Sequence, residues 1–135
     1  MKKTKILSFI MATVFIFSVL AVTVYAASVY NNNTIRTSTG FIISDSGLAS
    51  VYTSYTGREG ITTGATITIT IKKRSFLIFW NEVTTHTLYS TDVEYSNTYD
   101  YQLSGSGTYK CEVEYVISGT GGADDVIPFE DTASY

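Results

Sequence analysis

The run Ala65-Thr66-Ile67-Thr68-Ile69-Thr70-Ile71 alternates apolar and polar side chains more regularly than any other part of this 135-residue chain. Successive side chains of a β-strand point to opposite faces, so the three isoleucines would line one face and the three threonines the other. Such residues also favour strands because their branched side chains fit a pleated surface. The run therefore predicts a strand with one face in a core and the other towards solvent.

Similar short runs, rich in Thr, Tyr, Val and Ile, fill most of residues 40–135 and are separated by clusters of Gly, Ser and Asp. None has a sustained apolar period of 3.6 residues, so no helix is expected there. Strands are predicted near residues 41–43, 48–55, 65–71, 76–80, 83–88, 95–103, 108–117 and 126–135. Seven to eight short antiparallel strands predict an all-β, two-sheet sandwich.

The first 26 residues predict export. Lys2, Lys3 and Lys5 precede an uncharged apolar run over 6–26 that ends in Val24-Tyr25-Ala26, which is the pattern of a signal peptide with its apolar helix. An uncleaved anchor is the alternative, because about 20 apolar residues suffice to span a bilayer. Either outcome places the remainder outside the membrane, secreted or anchored facing outwards. The predicted divisions are a signal peptide over 1–26, a flexible polar leader over 27–39 and one domain over 40–135.

Charge and cysteine content narrow the possible partners. Residues 27–135 contain six basic and twelve acidic side chains, a formal net charge of −6. Such a charge argues against nucleic-acid binding and against anionic lipids, leaving membrane contact to the N-terminal segment if it is uncleaved. Cys111 is the single cysteine, so no intramolecular disulfide can form. We expect its thiol to be buried.

The stretch Gly107-Thr108-Tyr109-Lys110-Cys111-Glu112-Val113 resembles the F strand of immunoglobulin-like domains. In that pattern a tyrosine lies two residues before a cysteine, and its hydroxyl caps a turn upstream. Over residues 40–135 the chain looks like small exported immunoglobulin-like or fibronectin-III-like β-sandwich proteins of Gram-positive bacteria that have no assigned activity. The partner cysteine of a B strand is absent near residues 49–51. The resemblance implies a fold and a location, and no reaction.

The apolar run Phe76-Leu77-Ile78-Phe79-Trp80 is the first candidate binding segment. In a strand, only alternate residues of this run could face a single core. The run therefore has two interpretations. Either both faces are buried, under the N-terminal segment or at a homodimer seam, or Phe76, Phe79 and Trp80 form an exposed patch that grips a partner protein, a sugar ring or a membrane. The adjacent Lys72-Lys73-Arg74 would then act as gatekeepers against aggregation.

Two further groups of residues are weaker candidates. Tyr95, Tyr99 and Tyr101 share one face of a predicted strand, which suits binding, although tyrosine is also a common strand residue. The acidic residues Asp124, Asp125, Glu130 and Asp131 could supply oxygen ligands to Ca²⁺ or simply form a solvated acidic loop.

No catalytic motif surrounds the single histidine, His86, and no cofactor motif is present in the sequence. We therefore predict a secreted, non-enzymatic recognition domain that binds a protein or cell-surface partner. The alternatives are a cell-wall or carbohydrate-binding module, assisted by calcium or not, and an acidic bacteriocin-like effector or its immunity partner.

Overall fold

The computed structural model describes residues 31–135, which form strands and turns without a helix. The predicted signal peptide and leader residues 27–30 lie outside the described residues. Within them, seven strands run in the order β1 Thr34–Ile43, β2 Leu48–Gly57, β3 Thr62–Phe76, β4 Phe79–Ser90, β5 Glu94–Gln102, β6 Thr108–Gly119 and β7 Asp125–Ser134. Nothing in residues 31–135 forms a helix long and apolar enough to cross a membrane.

The strands make two antiparallel sheets, which confirms the all-β, two-sheet prediction. One sheet has the order β1-β2-β5 and the other β4-β3-β6-β7. Residues from both sheets form a single buried cluster, so the inner faces pack on one another. Every pairing between neighbouring strands is antiparallel.

The alternating run in β3 occupies the place that its pattern predicts. Ile67, Ile69 and Ile71 are at most 1% exposed, because β3 lies between β4 and β6 and turns this face inwards. In β6 the alternate residues are buried in the same way, and they are Tyr109, Cys111, Val113, Tyr115 and Ile117. The two central strands of the larger sheet therefore supply most of its core face.

The Cys111 thiol is fully buried, as predicted. Burial raises its pKa from 9.0 to about 12, and the nearby carboxylates of Asp131 and Glu112 add to the shift. Because only the thiolate reacts, we expect alkylation of the native protein to be about a thousandfold slower than that of an ordinary cysteine. Iodoacetamide labelling followed by mass spectrometry tests this. Full labelling of the native protein at the rate of the urea-unfolded protein would contradict it.

The Tyr109 hydroxyl donates to the carbonyl oxygen of Gly105 at 2.6 Å, four residues upstream. This contact confirms that the tyrosine before Cys111 caps the preceding turn. It also fastens the turn between β5 and β6 to the core, because the Tyr109 ring is only 1% exposed.

Residues 34–39, predicted as part of a flexible leader, instead form the first part of β1. The segment just before them is fixed by Asp125 at the start of β7. The backbone N–H groups of Asn32 and Asn33 donate to the two Asp125 carboxylate oxygens at 2.7 and 2.8 Å. The Asn33 side chain, itself fully buried, donates to the carbonyl oxygens of Ile117 and Ala123. We call this arrangement the N-terminal latch.

The sandwich has two distinct ends. Turns 44–47, 77–78 and 103–107 lie at one end, where Leu103 N–H donates to the carbonyl oxygen of Gly47 and Lys73 Nζ to that of Ser104. This is the tip end. The N-terminal latch and turns 58–61, 91–93 and 120–124 lie at the opposite, far end.

Candidate functional site

Residues 76–80 form the turn between β3 and β4, and we call them the aromatic tip. Phe76 pairs with Phe79 across the hairpin, and Leu77 and Ile78 make the two-residue turn between them. The separate strand predicted for this run is therefore wrong. Because residues 76–80 form a turn together with the ends of β3 and β4, residues 31–135 contain seven strands and not eight.

Four adjacent apolar side chains of the tip are exposed. The exposed fractions are 67% for Phe76, 70% for Leu77, 76% for Ile78 and 59% for Phe79, whereas Trp80 is half-buried. Within residues 31–135 nothing covers these four side chains. By ordinary side-chain areas, the four residues present on the order of 400 Å² of apolar surface, which is typical of a functional patch on a small protein.

The tip extends past the sheet that carries it. The ladder between β3 and β6 ends at the pair Lys73–Tyr109, while the ladder between β3 and β4 continues to Phe76–Phe79. With about 3.3 Å per residue, Phe76 lies roughly 10 Å beyond the last β3–β6 pair. Thr108, the first residue of β6, lines one surface depression with Phe76 and Leu77. The apolar side chains are therefore carried at the end of a narrow extension rather than on a flat sheet face.

Polar contacts hold the base of the hairpin. The Nε atom of Arg74 donates to the carbonyl oxygen of Leu77 at 2.9 Å, and the Ser75 hydroxyl donates to that of Phe79 at 3.4 Å. Two cations lie over the Trp80 ring, with Arg74 Cζ 5.8 Å and Lys110 Nζ 5.1 Å from its centroid. Trp80, the innermost residue of the aromatic tip, therefore contacts two of the four basic residues Lys72, Lys73, Arg74 and Lys110, which we call the basic collar.

Part of this collar belongs to a charged row across the outer face of the larger sheet. Glu112 pairs with Lys72 and, at 2.8 Å, with Lys110, which in turn lies 3.4 Å from Glu130. Burial alone would raise the pKa of Glu112, but hydrogen bonds from the two lysines outweigh it and the pKa is lowered. The row fixes Lys110, whose Nζ lies over Trp80, and holds Lys72 beside Glu112.

Lys73 and Arg74 differ from these two lysines, because no carboxylate among residues 31–135 lies within 4.0 Å of either. Lys73 contacts the carbonyl oxygens of Ser104 and Gly105 at 3.4 and 3.5 Å, and Arg74 contacts the turn and Trp80. These are two cations whose charge is not neutralised by a neighbouring acid of the described chain.

The tyrosines predicted as a binding face point inwards. Tyr95, Tyr99 and Tyr101 do share one face of β5, but this face packs against the core and the rings are partly buried. Tyr99 stacks on His86 with ring centroids 4.3 Å apart. The structure therefore gives these tyrosines and His86 packing contacts between the sheets.

The four acidic residues proposed for calcium do not converge. The Asp125 carboxylate accepts the latch N–H groups, and Glu130 contacts Lys110. Along β7, Asp125 and Glu130 lie five residues apart, or roughly 16 Å, whereas Ca²⁺ needs its ligands within about 2.6 Å. Within residues 31–135, which include Asp124 and Asp131, no group of three or more His, Cys, Asp or Glu side chains could hold a metal ion.

Sequence reasoning missed two features of the site. Leu77 and Ile78 are the most exposed residues of the tip, yet they were interpreted as strand residues because the run contains no Gly, Asn, Asp or Pro to mark a turn. Lys110 was missed because it is thirty residues from Trp80 in sequence and is brought there only by the pairing of β3 with β6.

No model of a known protein family matches the chain, and neither a curated protein nor a solved structure is significantly similar to it. The function is therefore argued from the residues and contacts of the chain itself.

Proposed function

We propose that the chain is an extracellular, non-enzymatic recognition domain whose aromatic tip contacts a cell-surface partner. The observation that carries the proposal is the exposure of four adjacent apolar side chains, 76–79, at the end of a projecting hairpin. A two-residue turn is ordinarily built from Gly, Asn or Asp, so the fold itself does not require Leu77 and Ile78 there. A binding role explains why apolar residues occupy the most solvent-exposed position of the hairpin.

An immunoglobulin-like assignment is part of this proposal. Strands β1, β2 and β5 correspond in order to A, B and E of such domains, and β3, β6 and β7 correspond to C, F and G. On this reading β4 is the additional strand that variable-type domains place beside C. The contact from Tyr109 to the Gly105 carbonyl supports the same assignment, because it occurs at the start of the strand equivalent to F.

Retention on cell fractions tests the proposal. The protein, recovered from an exporting host, is incubated with cells, wall fragments and membranes of the producing organism. We expect one fraction to retain it, and the tip variant Leu77→Ser/Ile78→Asn to lower retention at least about tenfold, because loss of central apolar contacts dominates binding energy. Serine and asparagine suit a turn, so the hairpin should persist.

The matched control is Ile35→Ser/Val126→Ser, which removes two apolar side chains of comparable exposure from the far end. It should leave retention unchanged. Trp80→Ala is a second arm, expected to weaken retention while the β-type circular dichroism stays intact, because Trp80 is half-buried at the hairpin base. Equal retention of the wild type and the tip variant, or no retention on any fraction, would contradict the proposal.

A further inference from the structure

We infer that the partner of the aromatic tip is an anionic lipid surface, into whose headgroup region the tip inserts. This inference rests on the proposed function and names the ligand class of that same site. It is carried by the shape of the hairpin, the order of its side chains and the distribution of charge along the sandwich.

The shape of the hairpin suits shallow insertion. Phe76 lies roughly 10 Å beyond the last β3–β6 pair, a reach comparable to the 5–10 Å by which interfacial segments enter the boundary between headgroups and acyl chains. The backbone at the turn is narrow, and Phe76, Leu77, Ile78 and Phe79 surround it with apolar surface. A flat sheet face could not enter lipid to this depth without burying charged side chains.

The side chains are ordered as a membrane interface requires. The outermost four are apolar and uncharged, and Trp80 follows with its ring half-buried. Arg74 lies level with Trp80, to which it is paired in the ladder, and Lys73 comes next. Tryptophan and basic residues concentrate at headgroup depth, while apolar side chains lie deeper. The layers along the hairpin are therefore apolar first, then Trp80 together with Arg74, and then Lys73.

Charge is segregated along the sandwich even though residues 27–135 carry a net −6. Four of their six basic side chains lie near the tip, at Lys72, Lys73, Arg74 and Lys110. Glu112 pairs with Lys72 and Lys110, and Glu82 lies opposite Lys72, so Lys73 and Arg74 are the two of these cations without a neighbouring acid in residues 31–135. Asp45 is the single acidic side chain in the described tip-end turns 44–47, 77–78 and 103–107. The far-end turns and the first residues of the adjacent strands contain one basic side chain, Arg58, and five acidic side chains, Glu59, Asp92, Glu94, Asp124 and Asp125. The two unneutralised cations therefore favour an approach of the tip end to an anionic surface, and the acidic far end would face away from it.

A second copy of the chain fits the tip less well. A stable interface buries about 800 Å² on each partner, roughly twice what the four exposed side chains present. Two tips meeting would also bring Lys73 and Arg74 of both copies together without a neutralising acid at either residue among residues 31–135. A lipid surface meets both requirements, because its area is large enough to cover the whole tip and its negative charge is opposite to that of Lys73 and Arg74.

Trp80 provides the measurement, because it is the single tryptophan of the chain and lies at the base of the tip. The protein recovered from an exporting host is mixed with vesicles of phosphatidylcholine alone or of phosphatidylcholine with phosphatidylglycerol. We expect co-sedimentation, a shift of Trp80 emission to shorter wavelength and quenching by brominated lipid with the anionic vesicles only. Added salt should weaken binding, since it screens the attraction. Leu77→Ser/Ile78→Asn should lower the partition coefficient at least about tenfold, and Ile35→Ser/Val126→Ser should not.

The outcomes separate this inference from the proposed function. If the tip variant partitions as well as the wild type, the tip is not the lipid contact and the inference is overturned. If no vesicle binds the protein but a wall or protein fraction retains it through the tip, the lipid partner is wrong and the proposed function stands. If neither vesicles nor any cell fraction binds, both fail.

Discussion

Replacing Ile69 with alanine is expected to lower the free energy of unfolding by about 4 kcal/mol, which is within the range for deleting a buried branched side chain. Ile69 is fully buried and lies at the middle of β3, opposite His86 on β4 and Val113 on β6. The neighbouring strands are fixed by their ladders and cannot collapse into the space, so a cavity adds to the lost transfer energy. Urea unfolding followed by circular dichroism measures the change.

The matched control for Ile69 is the next residue along the strand. Thr70 faces outwards, and its hydroxyl contacts only that of Thr85 at 3.2 Å on the exposed face. Thr70→Ala should therefore cost less than about 1 kcal/mol. Equal costs for the two variants would mean that the isoleucine face is not the core face, and the strand register described above would be wrong.

The core residues of the larger sheet could be predicted because the alternation of apolar and polar side chains that marks them is visible in a short stretch of sequence. In β3 and β6 the period of two is present in the sequence itself, and the burial of Ile67 and Tyr115 follows from the same alternation. The resemblance to an F strand also implied that Tyr109 caps an upstream turn, and its hydroxyl donates to the carbonyl oxygen of Gly105, four residues before it. The burial pattern of these two strands depends on neighbours in sequence, and it was predicted correctly.

The aromatic tip could not be placed in the same way. Its turn residues, Leu77 and Ile78, have none of the chemistry that marks a turn, so the run resembles a strand. The register of β3 on β4, with irregularities after Ile71 and between Arg74 and Phe76, is what puts these residues at a hairpin end. Such a register depends on the pairing of two whole strands and is not visible in a window of five residues.

The N-terminal latch was hidden for a similar reason. Asn33 and Asp125 are 92 residues apart in sequence, and each has a common local interpretation when taken alone. A polar stretch with three asparagines suggests a flexible segment, and an acidic pair in a glycine-rich loop suggests a solvated loop or a cation site. The contact between them changes both interpretations. The Asp125 carboxylate accepts hydrogen bonds from the backbone N–H groups of Asn32 and Asn33, and these bonds order the polar segment.

Asp125→Asn is expected to destabilise the protein by about 2–3 kcal/mol at neutral pH, the cost of losing hydrogen bonds to a charged, buried group. Asp125 is only 4% exposed, and each of its oxygens accepts one backbone N–H. An asparagine keeps one acceptor but turns an NH₂ group towards the other N–H, leaving a donor without a partner. Thermal or urea unfolding of the variant measures the loss. Asp124→Asn is the control, because Asp124 is exposed and its change should cost less than about 0.5 kcal/mol.

The same carboxylate makes the effect depend on pH. Burial alone would raise the pKa of Asp125, but the backbone N–H groups of Asn33 and Asn32 outweigh it, so the folded pKa lies below the usual value of 3.8. A group with a lowered folded pKa contributes stability that is present above its unfolded pKa and is lost as the pH falls through the folded one. The difference in stability between wild type and Asp125→Asn should therefore be full near neutral pH and shrink progressively as the pH falls below the usual value of 3.8. A difference that stays constant into acid, or an equal cost for Asp124→Asn, would show that the charge of Asp125 does not hold the N-terminal latch.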